Sequence, residues 1–156
     1  PGFSSYLHPI GNGLVIGIGE GGSMNGTDGS AKVSLFDVSD PYNPAELDNY
    51  IVPDAYFNQS HKAFMTIDSD TFALCLTKYG YHNDEYLEES EIVAFGIADG
   101  KISLQGEYDT CAKGETEDYY WEFRGAFIGN TIFTVNGYGI RAYDMKTTDL
   151  SGEVKF

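Results

Sequence analysis

The segment VSLFDV at residues 33–38 decides the fold, because the same pattern recurs twice along the chain. The later copies read IVAFGI at residues 92–97 and IRAYDM at residues 140–145. Every copy has an aromatic residue at its fourth position and apolar residues at its first, third and sixth positions. Short apolar and aromatic runs bounded by turn residues are typical of β-strands. Three copies in 156 residues indicate a structural repeat.

A second pattern precedes each copy and predicts a β-hairpin. It joins the end of one strand to a new strand through Gly, Asn, Asp or Ser, the residues that tight turns favour. Its three occurrences are IGNGLVI at residues 10–16, IDSDTFAL at residues 67–74 and IGNTIFT at residues 128–134. Each unit then resolves into four strands, and the units span approximately residues 5–52, 61–109 and 122–156.

These units predict an all-β, propeller-like fold made of three four-stranded antiparallel blades. Several strands place apolar residues side by side, as at residues 14–16 and 72–74, which is typical of sheets covered on both faces. Sheets stacked face to face around an axis produce such burial. The segments predicted to be irregular are residues 20–30, 53–60, 78–89 and 110–120.

Three blades are too few for a closed ring, because propellers typically contain four to eight. The outer faces of the first and third blades would expose apolar surface, and such patches require a partner. We expect either a homodimer that completes a six-bladed ring or the remaining blades of a longer parent chain. The first residue is Pro1 and not Met, which also favours the expectation of a longer parent.

Charge excludes some partners. The chain has 24 acidic and 9 basic residues and a formal charge of −15. This balance argues against nucleic acid, whose phosphates need a basic surface, and against an anionic membrane surface. No apolar run approaches the ~18 residues of a membrane helix, so we expect no membrane insertion. An acidic surface serves solubility or attracts basic partners.

Four segments together resemble a known family. They are YLHPIG at residues 6–11, VSLFDVSDPYNP at residues 33–44, SHKAF at residues 60–64 and RGAFIGNTIFTVNGYGIRAYD at residues 124–144. The chain resembles secreted bacterial and archaeal proteins with a C-terminal β-propeller distantly related to WD-type repeats. The resemblance implies a propeller fold and a secreted or cell-surface protein, and it assigns no catalytic residues. The propeller of that family is longer than this chain.

The acidic segment at residues 37–44 has two interpretations. Oxygen ligands cluster there, so Asp37 and Asp40 are candidate calcium ligands. The same residue types form strand-to-strand turns, since Asp and Asn side chains bond nearby amides and Pro presets φ. A calcium-stabilised structural module is therefore one hypothesis for the chain.

Candidate ligand-binding residues are Tyr119, Tyr120, Trp121, His61 and Arg124. The three consecutive aromatics suit a sugar or peptide platform, although the same rings also suit packing between blades. His8 and His61 precede inner strands, a position that would let them face a central channel. His61 aligns with Arg124, and both are expected to make structural hydrogen bonds at the start of a strand.

No nucleophile elbow, kinase set or metalloprotease motif is present in the sequence. The leading hypothesis is therefore a non-enzymatic binding or scaffold module that meets a protein or glycan through the segments 78–89 and 110–121. The alternative is a carbohydrate-active enzyme with carboxylates such as Glu117 and Asp118 at the channel mouth.

The two cysteines lie in separate segments without metal-ligand spacing. Cys75 lies in an apolar run, which predicts a buried thiol. A disulfide between Cys75 and Cys111 stays open at this level.

Overall fold

The computed structural model describes residues 2–21, 29–57, 62–82, 85–110 and 123–156. All regular elements in these ranges are β-strands. They are β1 (Gly2–Gly11), β2 (Leu14–Gly21), β3 (Ser30–Asp37), β4 (Ala45–Val52), β5 (Ala55–Phe57), β6 (Phe64–Thr66), β7 (Thr71–His82), β8 (Glu85–Ala98), β9 (Lys101–Asp109), β10 (Arg124–Ile128), β11 (Thr131–Asn136), β12 (Gly139–Asp144) and β13 (Leu150–Lys155). No helix in the described part of the chain is long and apolar enough to cross a bilayer.

The strands form three antiparallel sheets that follow one another along the chain. The first sheet has the order β1-β2-β3-β4, and the third has the order β10-β11-β12-β13. In the second sheet, β7, β8 and β9 are adjacent, and the short strands β5 and β6 share the free edge of β7. The predicted all-β fold with three antiparallel blades is therefore confirmed.

The strands of each sheet end on two opposite sides, which we call the lower edge and the upper edge. The lower edge carries the turns between the first two strands and between the last two strands of a sheet. The upper edge carries the connections between the middle strands and from one sheet to the next. At the lower edge, Asp99 and Gly100 join β8 to β9 with φ values of 51° and 71°. Both values are positive, as a two-residue type I′ turn requires.

One backbone hydrogen bond recurs at the lower edge of all three sheets and ties the first turn to the third strand. Its three occurrences are Val38 N to Gly13 O at 2.7 Å, Ile97 N to Asp70 O at 2.7 Å and Met145 N to Asn130 O at 2.9 Å. The third and fourth strands also share an irregularity in their pairing, located just before the repeat aromatic in each sheet. An extra residue at that point adds local twist. The three units therefore repeat the same strand pairing as well as the same sequence pattern.

The repeat aromatics define two faces on every sheet. Phe36, Phe95 and Tyr143 lie opposite Val15, Phe72 and Ile132 on the second strand of their sheets. We call the face that carries them the aromatic face and the other the reverse face. The aromatic face of each later sheet packs on the reverse face of the sheet before it, and the core lies in these two seams. Among the fully buried residues are Ile16, Ile18, Val33, Leu35, Leu74, Phe95 and Ile132.

Two segments predicted to be irregular contain regular strands, so those predictions were wrong. Residues 78–89 belong largely to a long hairpin, in which Lys78 pairs with Glu89 across β7 and β8. Opposite charges in such cross-strand pairs stabilise a sheet despite its polar sequence. Segment 53–60 contains β5, whose Phe57 pairs with Leu76 and is buried.

The predicted alignment of His61 with Arg124 is also wrong. Cys75 N donates to Ala63 O at 2.8 Å, whereas Arg124 pairs with Val135. Cys75 and Val135 occupy the same position in their sheets, so Ala63 is the counterpart of Arg124. The cause is that the Ala-Phe pairs at residues 63–64 and 126–127 match in sequence but differ in position, since Phe64 lies opposite Leu74 whereas Phe127 lies opposite Ile132.

Candidate functional site

An open cleft lies at the lower edge, where the first sheet meets the second. Its volume is about 280 Å³. Its lining combines the end of β1, the first turn of the second sheet and the end of β8. The lining residues are His8, Pro9, Ile10, Thr66, Asp68, Ser69, Asp70, Thr71, Phe72 and Ile97.

His8 forms one wall of the cleft and is fixed on three sides. Its ring stacks on Phe64 with centroids 4.1 Å apart and planes at 25°. Its Nδ1 lies 3.1 Å from the Tyr6 hydroxyl, and its Nε2 lies 3.4 Å from Thr66 Oγ1. Each hydroxyl can donate or accept, so either neutral tautomer is accommodated. Contacts from both sheets therefore hold the imidazole at the seam.

Asp68 and Asp70 form the opposite rim, on the turn between β6 and β7. Asp68 Oδ1 accepts the backbone N–H of Asp70 at 2.9 Å, and Asp70 Oδ2 accepts the Ser69 hydroxyl at 3.0 Å. The Asp68 bond is the side-chain-to-backbone contact that favours Asp in turns. Both aspartates are exposed, so the turn presents two carboxylates to solvent.

The floor of the cleft is apolar. Phe72 is almost completely buried, and Ile10 and Ile97 are partly buried beside it. An apolar floor under two carboxylates suits an amphipathic cation. A Lys or Arg side chain places its methylene stem on apolar surface and keeps its charged head at the rim. An Arg guanidinium in particular forms strong charge-assisted bonds with carboxylates.

The candidate calcium residues Asp37 and Asp40 lie in the lower-edge turn between β3 and β4. Asp37 Oδ1 accepts Ser39 N at 2.8 Å, and Asp40 accepts Tyr42 N at 2.9 Å and Asn43 Nδ2 at 2.7 Å. The Ser39 bonds lower the pKa of Asp37, and the Asn43 bond followed by the Tyr42 bond lowers the pKa of Asp40. These contacts are those of a structural turn. Within the described ranges, no three His, Cys, Asp or Glu side chains are grouped to hold a metal ion, and the calcium assignment stays a prediction.

The aromatic platform lies outside the described residues, as does His61. Residues 119–121, together with Glu117 and Asp118, fall between the end of β9 and the start of β10. Arg124 is the first residue of β10 and lies on the reverse face of the third sheet, where it is exposed. Arg124, the one described member of this set, lies at the upper edge and is not part of the cleft lining.

The upper edge of the second sheet holds a buried acidic group. Lys78 Nζ lies 2.7 Å from Glu91 Oε2 and 2.8 Å from Glu107 Oε1. Burial raises the pKa of Glu91, although the Lys78 contact opposes the shift. Burial would lower the pKa of Lys78, but its bonds to Glu107 and Glu91 outweigh this effect and raise it. The arrangement is a partly buried charge cluster that joins three strands.

Cys75 is a free thiol and is buried, as the sequence predicts. Burial raises its pKa to about 12, with smaller opposing effects from Gly125 and Arg124. A thiol in such surroundings is structural, since the thiolate is the reactive form.

Sequence reasoning missed Asp68 and Asp70, which it assigned only to a hairpin turn. The first turn is Asn12-Gly13 in the first unit and Gly129-Asn130 in the third, whereas in the second it contains Asp68-Ser69-Asp70. That local departure from the repeat was the available signal.

The fold agrees with a comparison to protein-family models. A model described as "Beta propeller domain" matches residues 1–148, which is nearly the whole chain. The chain belongs to this β-propeller domain family. No solved structure matches the chain.

Two relatives of this β-propeller domain come from archaea, and both are named only as uncharacterised proteins. One from Methanocaldococcus jannaschii is 56% identical over 50 residues, which cover 32% of this chain and 7% of the relative. One from Archaeoglobus fulgidus is 29% identical over 160 residues, which cover 99% of this chain and 21% of the relative. The matched segments therefore span only 7% and 21% of the length of these two relatives.

Proposed function

We propose that this β-propeller domain is a non-enzymatic binding module of an exported protein. We further propose that its cleft takes a positively charged side chain of a protein ligand. The observation that carries the proposal is the pair of exposed carboxylates, Asp68 and Asp70, above the apolar floor formed around Phe72.

The protein's overall charge supports this choice of ligand. A formal charge of −15 attracts basic partners over a distance and raises the rate of their encounter. The cleft then supplies short-range selectivity, because a ligand side chain must combine an apolar stem that contacts the floor with a cationic head that contacts the carboxylates. A neutral glycan would gain little from the two carboxylate charges.

The rigidity of the cleft walls also favours a binding role. His8 is held by ring stacking on Phe64 and by hydroxyls from both sheets. Asp70 O accepts Ile97 N at 2.7 Å, which ties the acidic turn to β8. A preformed site loses little entropy on binding.

The test is binding to an array of short peptides in which Arg and Lys are placed at every position, with a glycan array in parallel. Hits are then measured by calorimetry at physiological salt. We expect Arg- or Lys-containing peptides to bind and the double variant Asp68→Asn/Asp70→Asn to lose affinity by about tenfold or more.

The matched control is Asp37→Asn/Asp40→Asn. It removes the same charge from another turn at the lower edge, so it reports the long-range electrostatic effect alone. Equal losses in the two double variants would overturn the assignment of the cleft. Binding of glycans without binding of any cationic peptide would overturn the choice of a protein ligand.

Export is tested separately in a native host. We expect an antibody against the domain to detect the parent protein in the cell-envelope or medium fraction, and a purely cytoplasmic signal would contradict export. The motivation is the family resemblance carried by residues 33–44 and 124–144.

A further inference from the structure

We infer that the cleft between the first and second sheets is an arginine pocket, in which the ring of His8 selects a guanidinium over the ammonium of lysine. This specificity rests on the proposed function, because it requires that a cationic side chain enters the cleft. It adds the identity of the cation and the residue that distinguishes it. Three features carry the inference: the size of the cleft, the placement of its carboxylates and the bonding of the His8 ring.

The size of the cleft suits one side chain of a partner. Its volume of about 280 Å³ lies just below the roughly 300–1,000 Å³ of pockets that enclose a drug-sized ligand. A long side chain that extends from the backbone of a partner fills such a space, whereas a folded segment does not. The occupant is therefore a single residue of the partner.

The two carboxylates that line the cleft share one rim. Asp68 Oδ1 accepts the Asp70 N–H, and Asp70 Oδ2 accepts the Ser69 hydroxyl. Among the described residues, none bonds to the second oxygen of either carboxylate, so Asp68 Oδ2 and Asp70 Oδ1 are the acceptors for a ligand. A guanidinium has five N–H donors in one plane and can donate to both oxygens from the same edge.

His8 lines the cleft with ring surface whose nitrogens already have partners. Its Nδ1 lies 3.1 Å from the Tyr6 hydroxyl, and its Nε2 lies 3.4 Å from Thr66 Oγ1. Phe64 covers one face of the ring with centroids 4.1 Å apart. The imidazole therefore acts as a flat wall of the cleft and not as a hydrogen-bonding group for the ligand.

A flat wall beside an apolar floor distinguishes the two cations. The lysine ammonium is compact, strongly hydrated and carries three donors that point in different directions. Because both carboxylates lie on one rim, the water lost against His8 and Phe72 is not replaced by protein acceptors, and this loss costs free energy. A guanidinium is more weakly hydrated and stacks on rings. It can therefore turn its edge to the carboxylates and its faces to the wall and the floor.

The first test compares four acetylated and amidated peptides of the sequence Gly-Ser-X-Ser-Gly, in which X is arginine, lysine, citrulline or norleucine. Nuclear magnetic resonance titrations that follow the backbone amides of Thr71 and Ile97 measure weak affinities and report binding at the cleft itself. We expect the arginine peptide to bind about fivefold more tightly than the lysine peptide. Citrulline has a flat head without charge and norleucine has only an apolar stem, so neither peptide should shift the two amides.

These peptides separate the arginine specificity from the proposed function. Equal affinities of the arginine and lysine peptides would overturn the specificity and leave the proposed function standing. No shift with either cationic peptide would overturn both. Citrulline binding as tight as arginine binding would show that charge is not recognised, and would also overturn both.

The second test assigns the selectivity to His8. His8→Leu keeps an apolar side chain against Phe64 but removes the flat ring. The ratio of the arginine to the lysine affinity should therefore fall to about one, with little change in the lysine affinity. His8→Phe restores a flat ring without nitrogens and should recover the preference for arginine. A purely structural role of His8 would lower both affinities together and leave their ratio unchanged, and this result would overturn the assignment.

Tyr42→Leu is the matched control, because Tyr42 is 91% exposed in a turn at the same edge and does not line the cleft. It removes an exposed aromatic ring, and the preference for arginine should persist. Loss of the preference in Tyr42→Leu would place the stacking ring outside the cleft and overturn the role of His8. Circular dichroism of each variant confirms that the sheets are retained.

Discussion

Tyr50 and Phe95 meet edge to face across the first seam, with ring centroids 5.4 Å apart and an interplanar angle of 66°. Tyr50 comes from β4 and Phe95 from β8, so one contact joins the outer strand of one sheet to the middle of the next. Phe95 also stacks on Phe72 at 5.5 Å within its own sheet. The repeat aromatic thus connects two sheets at a fully buried position.

Phe95→Ala should be among the most destabilising single substitutions in the chain. Removing a buried phenyl ring leaves a cavity, and the free energy of unfolding should fall by about 3–5 kcal/mol. Phe95→Leu fills most of the space and should cost about 1–2 kcal/mol. Urea denaturation at fixed protein concentration measures both, because association also shifts apparent stability. A loss under 1 kcal/mol for Phe95→Ala would contradict a core role for this ring.

The sequence predicted this aromatic position correctly because the fold repeats it every 48 to 59 residues. The division of the first unit into four strands also predicted β4 with its observed bounds, Ala45–Val52. Prediction failed for the β7–β8 arm, whose polar residues are stabilised by cross-strand partners that a single segment does not reveal.

The candidate site was less accessible to sequence reasoning. His8 and Asp70 are far apart in the chain and meet only after the first two sheets pack together. The alignment of first strands was wrong by two residues, because it matched the Ala-Phe pairs at residues 63–64 and 126–127, which pair with different positions of the second strand. Register between distant strands is a tertiary property, so spacing alone did not determine it.

Lys78→Met should destabilise the domain by about 2–3 kcal/mol near pH 7, because it leaves Glu91 buried without its cation. Loss of Lys78 raises the pKa of Glu91 further. When the pKa of a carboxyl group is higher in the folded state than in the unfolded state, the free energy of unfolding falls as the pH rises between the two values. For Glu91 this interval begins at the unfolded-state pKa of about 4.3 and ends at the folded-state pKa. The deficit should therefore be largest at neutral pH, shrink as the pH falls towards about 4.3, and be smallest below that value.

The double variant Lys78→Met/Glu91→Leu is the control for that experiment. It removes the buried charge together with its partner and should recover much of the lost stability at pH 7. Thermal melts from pH 4 to pH 8 compare the variants. A deficit independent of pH would contradict the role assigned to Glu91.

Asp48 should contribute to the acid sensitivity of the first seam. Its Oδ2 accepts the backbone N–H of Ile102 at 2.9 Å, and Lys101 Nζ lies 3.3 Å from Oδ1. The Ile102 bond, aided by Lys101, lowers the pKa of Asp48. Because the pKa of Asp48 is lower in the folded state than in the unfolded state, its carboxylate stabilises the fold above the unfolded-state pKa of about 3.9. This stabilisation is lost as the pH falls through the folded-state pKa.

We therefore expect Asp48→Asn to reduce stability at neutral pH and to flatten its decline below about pH 4. Asn keeps an acceptor for the Ile102 N–H, whereas Asp48→Ala removes it and should cost more at every pH. Acid titrations followed by tryptophan fluorescence and circular dichroism measure the slopes. Identical acid slopes in the wild-type protein and Asp48→Asn would refute the link between this carboxylate and acid unfolding.

Cys75 should resist thiol reagents in the folded protein. It is a free thiol on β7, is 2% exposed and has a pKa raised to about 12 by burial. Very little thiolate forms at pH 8, and the reagent has no direct access to the sulfur. In a Cys111→Ser background, where Cys75 is the sole cysteine, native labelling by a disulfide-exchange reagent should be slow and should accelerate with urea.

The rate of Cys75 labelling should follow the opening of the second seam, since Cys75 faces the third sheet near Gly125. Met65→Ala removes the side chain that packs against Gly125, so it should speed labelling without any change in the intrinsic reactivity of the thiol. Rapid labelling of the folded Cys111→Ser protein would show that the seam is open in solution.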